Sequence, residues 1–168
     1  MKKILSVVLA AMLMLSMMIP AVAEGEIKLG QSIFAAHGTK CFAVITVAVE
    51  GDKIVAAYID EFQMMSAEQA AGVPNSEAMF PVEGQVLGSK RVNTEMYSTN
   101  MQKAGSTVAI DVNYDAIQAH VIGKTVAELE AEVNGKTAEE VVDTVAGCTL
   151  ADTLGYINGI IEAAKNVK

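Results

Sequence analysis

From Lys40 to Glu50 the chain runs through β-branched and apolar residues, breaks at Gly51-Asp52, and resumes the pattern from Lys53 to Asp60. Two such runs around Glu-Gly-Asp predict a β-hairpin. In the first run Ile45, Val47 and Val49 fall on one face, while Phe42, Val44 and Ala48 fall on the other. Both faces are apolar, which predicts a strand covered on both sides. Between Glu61 and Gly88 the alternation is lost. Ser66 to Ala71 has the composition of one helical turn, and Gly72, Pro74, Pro81 and Gly84 punctuate the stretch beyond it. A segment of this length reads as a lid, a binding loop or a plain excursion.

The remainder has helical spacing. Asn93-Thr94 can cap a helix running to Ala104, with Met96, Tyr97, Met101 and Ala104 on its apolar side and Gly105 as its stop. At that spacing the two methionines and the tyrosine read as core. Tyr114, Ile117 and Val121 predict a second short helix ending at Gly123. Gly123-Lys124-Thr125 with Glu128, and Gly135-Lys136-Thr137 with Glu140, are two capping boxes. Neither triplet is a phosphate-binding P-loop, because Gln118 and Glu130 stand where that motif requires glycine. Beyond Gly147, Leu150, Leu154, Ile157, Ile161 and Ala164 form one apolar stripe to the end of the chain. The expected class is α+β: a small antiparallel sheet beginning with the hairpin, packed by several α-helices including a C-terminal helix.

The first 23 residues have a different character. Lys2 and Lys3 precede an apolar run from Ile4 to Met18, and Ala21-Val22-Ala23 supplies a small-x-small cleavage pattern. This is the form of a secretory signal peptide cut after Ala23, too short for a membrane span, so the expected protein is exported without stable membrane insertion. Residues 24–39 read as an N-terminal tether and 40–168 as a single domain. Beyond Ala23 ten basic and all 20 acidic residues remain. That balance argues against nucleic acid as a partner, since binding it needs a basic footprint. Cys41 and Cys148 are the only cysteines. Outside the cytosol they can bridge, which would stabilise the fold by about 4–5 kcal/mol in the chain-entropy model; the alternative is two separate buried thiols. His37 and His120 have no companions at zinc-ligand spacing beyond the isolated pair His37 and Cys41, and no serine lies in a nucleophile-elbow sequence. No catalytic residues and no metal site are expected.

The remaining chemistry lies in Asp143-Thr-Val-Ala-Gly147-Cys148-Thr149. A hydroxyl just past a glycine turn, at the mouth of a helix, suits a phosphate, because the glycine admits close approach and free N–H groups face the anion. The same residues also serve a plain helix–glycine–helix junction, with Gly147 as C-cap and Thr149 as N-cap. The segment resembles the attachment motif of the FMN-binding domain family, in which an aspartate and three residues ending in Ser or Thr precede Gly-Ala-Thr or Gly-Ala-Ser. Asp143, Gly147 and Thr149 match; Ala146 stands in place of Ser or Thr, Cys148 in place of alanine, and Ala151-Asp152 where a second hydroxyl pair often occurs. The hairpin from Phe42 to Asp60 is similar to the family's opening strands, so the resemblance covers the two ends of roughly residues 38–167. It implies FMN joined through its phosphate to Thr149 by a flavin transferase, with Gly147, Asp143 and Cys148 around it. The implied role is extracytoplasmic electron transfer, carrier rather than turnover enzyme, with redox partners unnamed. A flavin-free extracellular binding or surface-interaction module of the same fold is the alternative. A thiol-redox protein using Cys41 and Cys148 is a third, without a Cys-x-x-Cys.

Overall fold

A computed structural model describes residues 25–37, 41–76 and 82–168. The signal peptide expected at 1–23 lies outside the described residues. Among them, four strands, β1 (Ile27–Phe34), β2 (Cys41–Glu50), β3 (Lys53–Ser66) and β4 (Gln85–Ser89), form one antiparallel sheet in sequence order. Among the described residues five helices complete the fold: α1 (Thr94–Lys103), α2 (Ile110–Val121), α3 (Val126–Val133), α4 (Ala138–Val142) and α5 (Thr153–Lys165). The class is α+β, with a C-terminal helix, as the sequence pattern implies.

The hairpin forms with Gly51 at φ +63° in its turn. Val49 pairs with Ile54 and Ala48 with Ala56, which leaves Val55 as the extra residue of a bulge. The bulge resets the alternation so that Ile59 and Glu61 continue the inward row below Ile54. β3 also runs further than expected, to Ser66. Only beyond it does the chain turn, with the Ala70 N–H donating to Ser66 O at 3.0 Å.

Two expectations need correction. Most of the segment expected as a tether is strand: Ile27–Phe34 is the edge strand β1, paired along its length with β2. Its inward positions are the small Gly30 and Ser32, while Ile27, Leu29 and Ile33 are exposed. Gly30 and Ser32 are small because α5 lies directly on them: Ser32 Oγ donates to Gly159 O at 2.7 Å. Nor is β2 covered on both sides. Ile45 and Val47 are buried beneath α5, but Phe42 is exposed and Val44 and Ala48 are only half-buried. On that open face Phe42 stacks on Phe62 with centroids 5.6 Å apart, and Leu29, Ile33 and Tyr58 are exposed further along the same face.

The core lies between the inward face of the sheet and the helices. α5 packs on β1 and β2, α2 packs on β3, and α3 and α4 lie against α5. The apolar stripe of α5 is wider than its sequence spacing implies. Tyr156, Ile160 and Ala163 are buried along with Ile157, Ile161 and Ala164, since the helix is covered by the sheet on one side and by α3 and α4 on another. Both capping boxes form: Thr125 and Thr137 accept from the N–H groups of Glu128 and Glu140, whose carboxylates accept from the cap N–H in return.

Candidate functional site

The segment singled out by the sequence links α4 to α5. Asp143 is the exposed C-cap of α4, Gly147 turns the chain at φ +82°, and Cys148 is buried while Thr149 is exposed. Thr149 is not the cap of the last helix. α5 starts at Thr153, with Asp152 in the N-cap position, because the Thr153 hydroxyl donates to Leu150 O at 2.6 Å and closes a separate turn first. Thr149 is held instead by α2. Its N–H donates to Asn113 Oδ1 at 2.7 Å, and its hydroxyl lies 3.4 Å from the same oxygen. Asn113 is fully buried and donates through Nδ2 to Val108 O and Ala109 O, so its amide is fixed at both ends.

That arrangement gives Asn113 a measurable role. Asn113→Ala removes four hydrogen bonds and leaves the Thr149 N–H without its partner, so a loss of about 1–3 kcal/mol is expected. Hydrogen exchange should localise the loosening to residues 146–152. Unchanged protection there would separate Asn113 from the positioning of Thr149.

Cys148 is buried, and its Sγ lies 3.1 Å from Thr153 Oγ1. The bridge between Cys41 and Cys148 is absent: both are free, buried thiols with partners of their own. Cys41 donates to Glu61 Oε1 at 3.2 Å. Burial, with that hydrogen bond second to it, pushes the Cys41 thiol up to about 11. A thiol so held stays protonated at neutral pH and is a poor nucleophile. With both thiols free and buried, nothing among the described residues supports the thiol-redox reading.

The most concentrated polar chemistry among the described residues lies outside the segment that the sequence pattern singles out. Glu61, Lys90, Tyr114 and Tyr156 are all at most 1% exposed and meet at one carboxylate. Lys90 Nζ donates to Glu61 Oε2 at 2.5 Å, Tyr156 Oη at 2.7 Å and Tyr114 Oη at 3.0 Å. The two tyrosine rings meet edge to face at 5.3 Å, and Lys90 sits 4.6 Å from the centroid of Tyr97. Burial alone would raise the Glu61 carboxyl. The adjacent Lys90 charge and the hydrogen bonds outweigh it and hold the group below its usual value. Burial would likewise lower Lys90, and the Glu61 charge raises it instead. With Cys41 on the other oxygen, the cluster joins β2, β3, the turn after β4, α2 and α5. Every donor points at Glu61, which leaves it a closed structural node. The available sequence signal was Glu61 itself, a charge two residues after Ile59 in the inward phase of β3.

Arg91 and the two histidines lie elsewhere. Arg91 Nε donates to Ile59 O at 2.5 Å, and its Nη2 reaches Asp115 and Gln118, tying β3 to α2. His37 pairs with Asp152 at the start of α5, and His120 with Glu132 at 2.5 Å. The Asp152 carboxylate beside the Thr149 segment therefore has a partner. Among the described residues no three His, Cys, Asp or Glu side chains converge, and no helix is long and apolar enough to cross a membrane. Comparisons with protein-family models, with curated proteins and with solved structures gave no match to this chain.

Proposed function

We propose that the chain is an exported FMN-binding-like protein that accepts FMN on Thr149 and serves in extracytoplasmic electron transfer. The observation that carries this reading is the state of Thr149. Its side chain is exposed, two residues beyond a left-handed glycine, on a backbone pinned to α2 through Asn113. An acceptor for a transferase must be reachable from solvent yet fixed in position, and Thr149 meets both requirements. With FAD as donor, the Thr149 oxygen would form an ester to the FMN phosphate while AMP leaves and the hydroxyl proton is lost. Asn113 Oδ1, at 3.4 Å, is an acceptor placed to orient that hydroxyl. The flavin would supply one- and two-electron redox chemistry. Gly147 and the fixed Thr149 backbone provide attachment and orientation. Asp143 is exposed and buried Cys148 supports the loop from within, so neither is assigned a contact with the ring.

Co-expression with a flavin transferase tests this. Intact mass should rise by one FMN less one water, and Thr149→Ala should abolish the rise while leaving the urea midpoint close to that of the parent. An unmodified parent chain under these conditions defeats the reading.

The open face of the sheet favours the alternative, a flavin-free binding or surface-interaction module. Leu29, Ile33, Phe42 and Tyr58 are exposed apolar residues on one face across three strands, with Gln31, Thr46 and Asp60 among them. This reading gains if the parent chain stays colourless.

A further inference from the structure

The chain contains two Asn-Gly pairs, Asn134-Gly135 and Asn158-Gly159, and the fold holds them in opposite ways. Both asparagines line the groove between α3 and α5, beside Glu130, Glu162 and Lys165. Asn134 is the exposed C-cap of α3, with φ −60° and ψ 121°, and Gly135 turns the chain at φ +73°. Among the described residues, the Asn134 side chain and the Gly135 N–H have no hydrogen-bond partner. The turn is held by its neighbours: the Asn134 N–H donates to Glu130 O at 3.0 Å, and the Lys136 N–H to Val133 O at 3.1 Å. Asn158 and Gly159 lie instead in the interior of α5. There the Gly159 N–H is held by the carbonyl four residues back. Gly159 is buried, and its own carbonyl accepts from Ser32 Oγ at 2.7 Å.

We propose that Asn134-Gly135 is a site of spontaneous deamidation, at which a neutral amide becomes a carboxylate, while Asn158-Gly159 is protected by its helix. The Gly135 nitrogen loses its proton to a solvent base and attacks Asn134 Cγ. A C–N bond forms, and the side-chain amide nitrogen leaves as ammonia. Water then opens the five-membered succinimide at either carbonyl, giving aspartate or isoaspartate. The attack requires rotation about ψ of Asn134, so that the nitrogen comes over Cγ. Glycine permits it, because it brings no Cβ to crowd the ring, and here its N–H is not engaged in a hydrogen bond. The same rotation at Asn158 would break α5 where it packs on the sheet and on α3 and α4. The product has a local electrostatic consequence. A carboxylate at residue 134 stands at the C-terminal end of α3, where the helix dipole disfavours negative charge. It joins Glu130 and Glu162 along a groove whose lining cation, Lys165, is already paired with Glu130 at 2.6 Å. Isoaspartate also inserts an extra backbone carbon into the turn that joins α3 to the capping box of α4.

The test incubates the full chain at mildly alkaline pH, digests it in acid, where the reaction stalls, and follows both Asn-Gly peptides by mass spectrometry. The Asn134 peptide should gain about one mass unit and split into aspartate and isoaspartate forms. A local opening that costs more than about 1.4 kcal/mol slows a reaction through the open form more than tenfold. Asn134 should therefore convert at least about tenfold faster than Asn158 in the folded chain. In the urea-unfolded chain the two pairs should convert at similar rates, which separates the effect of the fold from that of the local sequence. Asn134→Gln should abolish the acidic species formed by the folded chain, and Asn134→Asp should co-elute with the aspartate product on anion exchange. Equal rates at the two sites in the folded chain, or a difference that persists in urea, overturns the proposal. So does an Asn134 peptide that converts only after unfolding. The result is independent of Thr149, because Thr149→Ala should leave the rate unchanged.

Discussion

Lys90→Met will cost the fold about 3–5 kcal/mol, because it leaves the Glu61 carboxylate buried without its counter-charge. The substitution keeps the aliphatic stem and so isolates the charge from the packing. Tyr114, Tyr156 and Cys41 still donate to Glu61, and they hold a carboxylate less well than an ammonium at 2.5 Å. The double variant Glu61→Gln/Lys90→Met should be more stable than Lys90→Met alone, since the amide oxygen accepts from the tyrosines without demanding a cation. Urea denaturation with an unchanged slope measures both. Additive losses in the double variant would show that the two groups do not interact.

The pH dependence has a definite sign. In the parent, the Glu61 carboxyl lies below its ordinary value of 4.5 and the Lys90 ammonium above its ordinary 10.5. The pair's contribution is therefore present across the range between those values. It is lost in acid as pH falls through the depressed value of folded Glu61, and in alkali as pH rises through the raised value of folded Lys90. In Lys90→Met the Lys90 charge and its hydrogen bond are gone, and burial, the largest influence on Glu61, should outweigh the hydrogen bonds that remain from Tyr156 and Cys41, so its folded value should rise above the ordinary one. The penalty is then full at neutral pH and disappears as the carboxyl protonates, so the gap between parent and variant narrows towards about pH 4.5. A gap that stays constant from neutral pH down to that point would place the loss in packing instead.

The range of each interaction decides whether the sequence betrays it. The hairpin at Gly51-Asp52 and the boxes at Thr125 and Thr137 are set by residues a few positions apart, and all three form. β1 was concealed because its inward residues answer to a helix more than a hundred positions away. Gly30 and Ser32 are small to admit α5, so the apolar residues Leu29 and Ile33 fall on the outside. The bulge at Val55 hid the phase that carries Glu61 inward. At the candidate site the accessible hydroxyl of Thr149 was legible from the glycine turn before it. Its anchor, Asn113, was not, because an asparagine in a helix gives no local sign that it reaches a loop 36 residues later.

The close approach of α5 to β1 yields the second large effect, as a graded series at three glycines. A Cβ on Gly30 would lie 2.0 Å from the carbonyl oxygen of Ala163, and one on Gly155 2.5 Å from that of Ala36. Backbone cannot rotate out of the way, so the helix must lift from the strand. A Cβ on Gly159 would meet Ile45 Cδ1 at 2.4 Å, the far end of a side chain that can move, though within a packed core. Gly155 and Gly159 are helical, and alanine there recovers about 1 kcal/mol of helix propensity that offsets part of the overpacking. Gly30→Ala should therefore be the most damaging, at about 3 kcal/mol or more; Gly155→Ala should cost about 2, and Gly159→Ala about 1 or less. Urea midpoints give the order, and equal losses at Gly30 and Gly159 would refute the backbone argument. Lifting α5 also withdraws Tyr156 from Glu61 and Thr153 from Cys148. Gly30→Ala should accordingly raise exchange both at the buried carboxylate and in the loop that presents Thr149, although it touches neither directly.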